Sequence, residues 1–448
     1  MRKTLRPYQQ EGLEKFKDED SMFLAMEMRL GKSLVTLRWL KLKGASRTMI
    51  IAPKTVLIGW QEELADEGIR AYDLTSWSLQ DREILIRSTK HLKNIAYLMN
   101  YESIDRLSSV IGAAELDCIV CDESTALKNH RAGVTKALMR ICETVPLKVC
   151  LSGLPVPQSY FDLFTQLQFL GDGFCMGLSN FYKWQRRVSN KYGYDFVFKP
   201  KELAKFKREF HRLAYVLTRK QAGLGETKIY QKRSAPLNPR EQRIYDKILK
   251  DWEIPGMKGD DGETKYAMVI ASWLRRLCGG FLPEEEVESW KYKALVDIVC
   301  KDLPAEQIVV WFAFNSELTK AADILEKAGV KCDYMLGGTK QDKRRKIIKS
   351  FQAGKCRVVL IQQRLGRFGL RLSAADTAIY FSNSYSLEDR AQSEDRIVDV
   401  EKKNPLLYID FVTEDTIEED VVEALQDKSC DAKFLMARIH TLRSLAIS

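Results

Sequence analysis

The sequence predicts an α/β fold of two doubly wound parallel sheets, and three observations predict it. Short apolar runs rich in β-branched residues recur, each followed by a segment with helical spacing of its apolar positions. The runs fall into two groups: "RTMIIAP", "NIAYLMN", "LDCIVCDE" and "LKVCLSG" early, then "EQIVVWFA", "CRVVLIQ", "DTAIYFS" and "PLLYIDFV" late. At the end of "LDCIVCDE" an acidic pair stands where open α/β sheets place ligands, and a small-residue loop follows "LKVCLSG".

Between the two groups, residues from about 172 to 285 are rich in aromatics, Lys and Arg. There "NFYKWQRRV" and "PREQRIYDKILKDW" read as helices, and the Gly/Asp stretch "PGMKGDDGETK" interrupts the region as a loop. The closing stretch "AKFLMARIHTLRSLAIS" reads as one amphipathic helix, a brace over about 430–448. A first lobe over 1–236, with a helical insertion at about 172–215, and a second over 237–448, opening with a helical segment at about 237–285, are expected.

The 448 residues are 45% hydrophobic and 29% charged, a globular composition with room for two or three cores. No apolar run approaches the ~20 residues of a membrane span, and "MRKTLRPYQQ" is no secretory signal. The 10 cysteines are scattered, which points to a reducing cytoplasm. "CIVC" has CxxC spacing but no second pair or nearby His, so it reads as a core strand, not a zinc site. A net charge of +10 favours a polyanionic partner, though the excess is modest.

Four motifs carry chemistry. In "AMEMRLGKSLVTLRWL", Gly31 permits close backbone approach to a phosphate, Lys32 offers a point charge, and Ser33 offers a hydroxyl to magnesium. The glycine usually found five residues before Gly31 is Met26, so the loop must curve through 27–30. In "CIVCDESTALKN", Asp122 suits a magnesium ligand and Glu123 suits orienting or deprotonating a water, although such a pair alone also fits a solvated turn. "LSGLPVPQ" is a small-residue loop after another apolar run, and by itself only a turn. In "AQSEDRIVDV", Arg396 is a candidate to reach a γ-phosphate, against the plainer reading of a solvated helical charge.

Taken in order, "LRPYQQEGL", the phosphate loop, "MIIAPKTVLIGWQEEL", "CDESTALKN", "LSGLPVPQSYFDLF", "VVWFAFNSELTKAADIL" and "LIQQRLGRFGLRLSAADTAIYFSNSYSLEDRAQSEDR" resemble the successive motifs of superfamily 2 helicases, specifically the Swi/Snf branch of double-stranded DNA translocases. Arg275-Arg276-Leu277-Cys278 resembles the helix that precedes that family's second lobe. The resemblance implies two RecA-like lobes with helical insertions between them and ATP with Mg²⁺ in the cleft. It implies that Gln9 reads adenine, that Arg29, Gly31, Lys32 and Ser33 form the phosphate loop, and that Asp122 and Glu123 manage metal and water. It implies that Gly366, Gly369, Gln392 and Arg396 complete the site from the second lobe.

Departures bear on turnover. Arg29 stands where the family has a glycine, and Ser124-Thr125 replaces an Ala-His pair whose His couples ATP state to the next motif. Asp399 stands where the last motif has its second arginine, and Lys402 replaces its final glutamine. Arg390 is then a substitute donor, and Asp399→Arg is expected to raise the rate. The sequence reading is an ATP-dependent translocase on double-stranded DNA, monomeric, free of membranes and cytoplasmic in a bacterium or phage-infected host, acting on DNA-bound proteins. An ATP-gated DNA-binding module with weak hydrolysis and an RNA or DNA helicase of the same superfamily are the alternatives.

Overall fold

The computed structural model describes residues 4–426 together with Thr441, apart from residues 55, 113, 154, 157–158, 172–179, 193–194, 225–227, 252–262, 283–285, 368–369, 400–401 and 403. The chain forms two compact units, Met1–Gly225 and Glu226–Ser448. No helix among the described residues is long and apolar enough to cross a membrane.

The first unit holds β1 (Ser21–Met26), β2 (Arg47–Ile51), β3 (Arg70–Asp73), β4 (Ile95–Met99), β5 (Cys118–Asp122) and β6 (Leu147–Leu151). A hairpin of β7 (Ser189–Tyr192) and β8 (Asp195–Phe198) follows, then β9 (Ala214–Leu217). Seven of these strands form one sheet in the order β3-β4-β2-β5-β6-β1-β9, every pair parallel. Both faces are covered, so the central strands are largely apolar: along β1, Met22, Leu24 and Met26 join one core while Phe23 and Ala25 join the other. Cys118 and Cys121 are buried in β5, as expected of a core strand, and no metal-binding cluster occurs among the described residues.

The second unit holds β10 (Lys228–Ala235), β11 (Ile308–Phe312), β12 (Cys332–Met335), β13 (Val358–Gln362), β14 (Thr377–Tyr380) and β15 (Leu406–Thr413). Their order is β10-β15-β14-β11-β13-β12, again all parallel. The helix Glu263–Cys278 packs with the helices Pro239–Asp251 and Ile417–Gln426 around Tyr245, Leu274 and Val421.

All eight apolar runs form strands. β1 escapes a sequence reading because "SMFLAM" is built of helix formers and a tertiary slot decides its conformation. β10, "KIYQKRSA", is mostly exposed and polar, and its sequence had placed it in the first lobe with a division after 236. Its register from Lys228↔Leu406 to Ala235↔Thr413 gives it to the second sheet.

Where a helical insertion is expected, the helices Phe181–Val188 and Pro200–Leu213 flank the β7–β8 hairpin. Trp184 sits fully buried among the rings of Phe161, Phe164, Phe181, Phe198 and Phe206, so much of this aromatic content is core. The expected brace helix at 430–448, Thr441 apart, and most of the Gly/Asp loop lie outside the described residues.

Candidate functional site

In the first sheet β5, β6 and β1 are neighbours, so the loops leaving their C-terminal ends meet. β1 runs to Met26 and the helix Lys32–Leu42 starts after the loop, with Gly31 as its N-cap. Met26 is thus the last residue of a strand and is wholly buried, which explains why no glycine is needed there. The turn is made instead by Arg29 and Gly31, both left-handed with φ of 69° and 75°. For Gly31 this is free; for Arg29 it costs about 1–2 kcal/mol, the physical content of that departure. Ser33 lies half-buried in the first turn of the helix, whose leading N–H groups lack intrahelical acceptors.

Three neighbours hold this loop. Gln9 accepts from the Arg6 backbone N–H at 2.9 Å through Oε1 and donates Nε2 to the Leu30 carbonyl at 2.9 Å. A Cβ on Gly31 would lie 2.4 Å from that nitrogen. Arg219, just past β9, donates its backbone N–H to Glu27 at 2.9 Å and its guanidinium to the Met28 carbonyl at 3.3 Å. Lys32 donates to the Met26 carbonyl at 3.0 Å. A Cβ on Gly153, in the loop after β6, would stand 3.1 Å from Met28 Cγ and 3.8 Å from Lys32 Nζ.

Asp122 ends β5 with both oxygens engaged, one accepting from Trp60 Nε1 at 2.9 Å and the other from the Glu123 N–H at 2.9 Å. Burial pushes its carboxyl up from the usual range, while the Lys32 charge and the Trp60 donor pull it back. Tyr101 donates to the Asp122 carbonyl at 2.9 Å. Glu123 is half-exposed and left-handed, with φ of 51°. Strain of this kind persists where the surroundings over-determine the backbone, as here at the end of a buried strand. A short helix, Ser124–Leu127, begins next, and Ser124 donates to buried Gln166 at 2.7 Å.

In the second unit, Arg396 Nε donates to the Gly366 carbonyl at 2.7 Å, so two residues distant in sequence touch. A Cβ on Gly366 would lie 3.0–3.2 Å from Ser393, which makes glycine the residue that lets the helix Leu387–Glu394 close in. Gln392 reaches Glu388 at 3.4 Å through Nε2, and its buried Oε1 has no hydrogen-bond partner among the described residues. Gly369 lies outside the described residues. Arg390 is committed elsewhere: it is buried, bonded to both oxygens of Asp410 and to Glu394 at 2.7 Å, which argues against its standing in as a phosphate ligand. Asp399 pairs with Arg371 at 3.1 Å, and Lys402 with Asp376 at 2.6 Å. At the ends of β11, β13 and β14 a cavity of about 800 Å³ is lined by Trp273, Arg275, Arg276, Phe314, Arg364 and Tyr385, among others.

The structure therefore gathers Gln9, Arg29, Gly31, Lys32, Ser33, Asp122 and Glu123 at one sheet end of the first unit, and Gly366, Gln392 and Arg396 in the second. Tyr101, Gln166 and Arg219 carry no sequence signal of their role. Trp60 stands within a quoted motif, "IGWQEEL", where an indole N–H was the available hint.

A model of the SNF2-related domain matches residues 8–279, and a model of the helicase conserved C-terminal domain matches residues 290–400. A probable ATP-dependent DNA helicase of Arabidopsis thaliana is 27% identical over 478 residues, covering 99% of this chain and 44% of the relative. An uncharacterized ATP-dependent helicase of Mycoplasma genitalium is 25% identical over 468 residues, covering 99% and 43%. Among solved structures, the Sulfolobus solfataricus SWI2/SNF2 ATPase core in complex with dsDNA is 19% identical with a TM-score of 0.45, covering 99% of this chain and 95% of that one. The chain spans less than half the length of these two curated relatives. A domain model that matches more than half of the chain, over two parallel-sheet units, places it in the SNF2-related family.

Proposed function

We propose that this chain is an ATP-hydrolysing translocase on double-stranded DNA that acts as a cytoplasmic monomer on DNA-bound proteins. The observation that carries the reading is the convergence of Lys32, Asp122 and the Gly153 loop at adjoining strand ends. Lys32 would bind the terminal phosphates, Gln9 would recognise the base, and Glu123 would orient or deprotonate the attacking water. Residues to hold magnesium are Asp122 and Ser33: hard oxygen donors, one of them a carboxylate still drawn toward its charged form by Lys32, fit an ion that takes few protein ligands. When bound, the ion would supply positive charge to neutralise the phosphates. Arg396, held by Gly366, would stabilise transition-state charge.

The cavity of the second unit, where Arg276 stacks over Trp273 and Phe314 at 5.2 and 4.5 Å, supports a nucleic-acid partner, since aromatic and guanidinium faces take sugars, bases and phosphates. The runner-up is an ATP-gated binder with weak hydrolysis, favoured by Asp399 and by the commitment of Arg390 to Asp410.

ATPase rates measured without nucleic acid, then with single strands, duplex and RNA, separate these readings. Duplex stimulation that Lys32→Ala abolishes, with Glu123→Gln binding ATP but not turning it over, is the expected result. Duplex affinity should fall steeply with salt and depend little on sequence. Equal rates with and without duplex, or full activity of Lys32→Ala, would overturn it.

A further inference from the structure

One polar connection in the first unit serves neither the fold's regular hydrogen bonding nor any of the roles proposed for the nucleotide site. Ser124 and Gln166 are both fully buried, in the turn after Glu123 and in the helix Leu163–Leu170. Ser124 Oγ donates to Gln166 Oε1 at 2.7 Å. Gln166 Nε2 donates to the Pro155 carbonyl at 3.1 Å and to the Asp162 carbonyl at 2.9 Å. The amide oxygen thereby accepts and the amide nitrogen donates twice. One end of this chain of bonds is the residue after Glu123, and the other is the loop that brings Gly153 against Met28 and Lys32.

A buried amide among Leu163, Phe164, Leu167 and Phe169 is an expensive choice for a core helix, where leucine would pack with no polar group to satisfy. The neighbouring Thr165 repeats the pattern by donating to the Leu127 carbonyl, at the far end of the same short helix as Ser124. Two adjacent polar residues of one helix thus clamp the segment 124–127 from the side.

We propose that Ser124 and Gln166 are positioning residues that lock the Asp122–Glu123 turn to the loop over Lys32. They hold the water-handling carboxylate in register with the phosphate-binding amine. This rests on the proposed nucleotide site. The relay runs through a serine and a glutamine, beside a threonine at 125. Because both side chains are fully buried and bonded to neighbouring protein groups, losing them should slow the chemical step and spare ATP binding.

The test is steady-state ATPase on duplex DNA, with ATP binding measured separately, for Ser124→Ala, Gln166→Leu and the double variant. A misplacement of catalytic groups by about an ångström costs up to about 100-fold in rate, so kcat should fall on the order of 10- to 100-fold. KM and the Kd for ATP should stay within about threefold of the parent. The double variant should be no slower than the worse single one, since both break the same chain. Gln166→Leu leaves the Pro155 and Asp162 carbonyls unpaired and can fail to fold; Ser124→Ala keeps both of those bonds and carries the test alone. Folded variants with parental kcat, or kcat losses matched by equal losses of ATP affinity, would overturn the relay while Lys32→Ala still abolishes turnover. A parent chain with no ATPase and no ATP binding would overturn the nucleotide site and the relay together.

Discussion

Arg371 donates to the Asp399 carboxylate at 3.1 Å, at the one position where the last motif of the resembled family has an arginine and this chain an acid. Asp399 is largely buried and Arg371 largely exposed, at 16% and 65% of their side chains. The expectation that Asp399→Arg simply adds a useful cation therefore changes. That variant sets two guanidiniums side by side and should destabilise the second unit by about 0.5–1 kcal/mol, the scale of a partly exposed pair. The reversed pair, Arg371→Asp with Asp399→Arg, should recover the loss and is the form in which a faster hydrolysis rate is expected. Denaturant melts and steady-state ATPase on the three proteins decide it; a single variant as stable as the parent removes the pair from the account.

Gly31→Ala should disable nucleotide binding from two causes at once. Its φ of 75° costs a Cβ-bearing residue about 1–2 kcal/mol, and that Cβ would stand 2.4 Å from Gln9 Nε2. The side chain of Gln9 can swing aside only by giving up its bond to the Leu30 carbonyl. Titration with a non-hydrolysable ATP analogue should show strongly weakened binding. Parental affinity of Gly31→Ala would mean that the loop binds no phosphate.

Trp60→Phe keeps the aromatic packing and deletes the donor to Asp122. That donor favours the charged carboxylate against burial, so the Asp122 pKa, already raised, should rise further. If the ionised form serves hydrolysis, the acid limb of the kcat profile moves to higher pH, with the alkaline side unchanged. Superimposable profiles for Trp60→Phe and parent would show that Asp122 is not the group titrating.

Glu317 is fully buried in the second unit, with Lys291, Arg275 and Glu418 as charged neighbours and Ser382 donating to it. Burial pushes its carboxyl up from 4.5 to about 7. A folded-state value above the unfolded one means that the stability is complete below about 4.5 and is lost as pH rises toward about 7. Glu317→Gln removes the titration, so the loss over that window should shrink, by roughly 1–3 kcal/mol. Unfolding free energies measured from pH 4.5 to 8 check this; equal slopes for both proteins would reject it.

Much of the fold was legible because buried parallel strands write themselves as apolar runs. "CIVC" and "VVLI" need no partner to be recognised, since both faces of such a strand are covered. The same local character exposed the phosphate loop and the Asp122–Glu123 step, whose chemistry sits in consecutive residues. Polar edge strands such as β10 were not legible, because pairing with β15 and not local preference makes "KIYQKRSA" a strand.

The sequence by itself determined the residue types of the candidate site and their order along the chain. Only the tertiary structure decided which of them have supports and which are already spent. Trp60 lies 62 residues from Asp122, Gln166 lies 42 from Ser124, and Arg219 lies 192 from Glu27, distances over which no local pattern records a partner. Arg390 looks in sequence like any other arginine on a helix, yet Asp410 holds it in a buried ion pair. A side chain's charge is a property of its residue; whether that charge is available is a property of what the fold packs beside it.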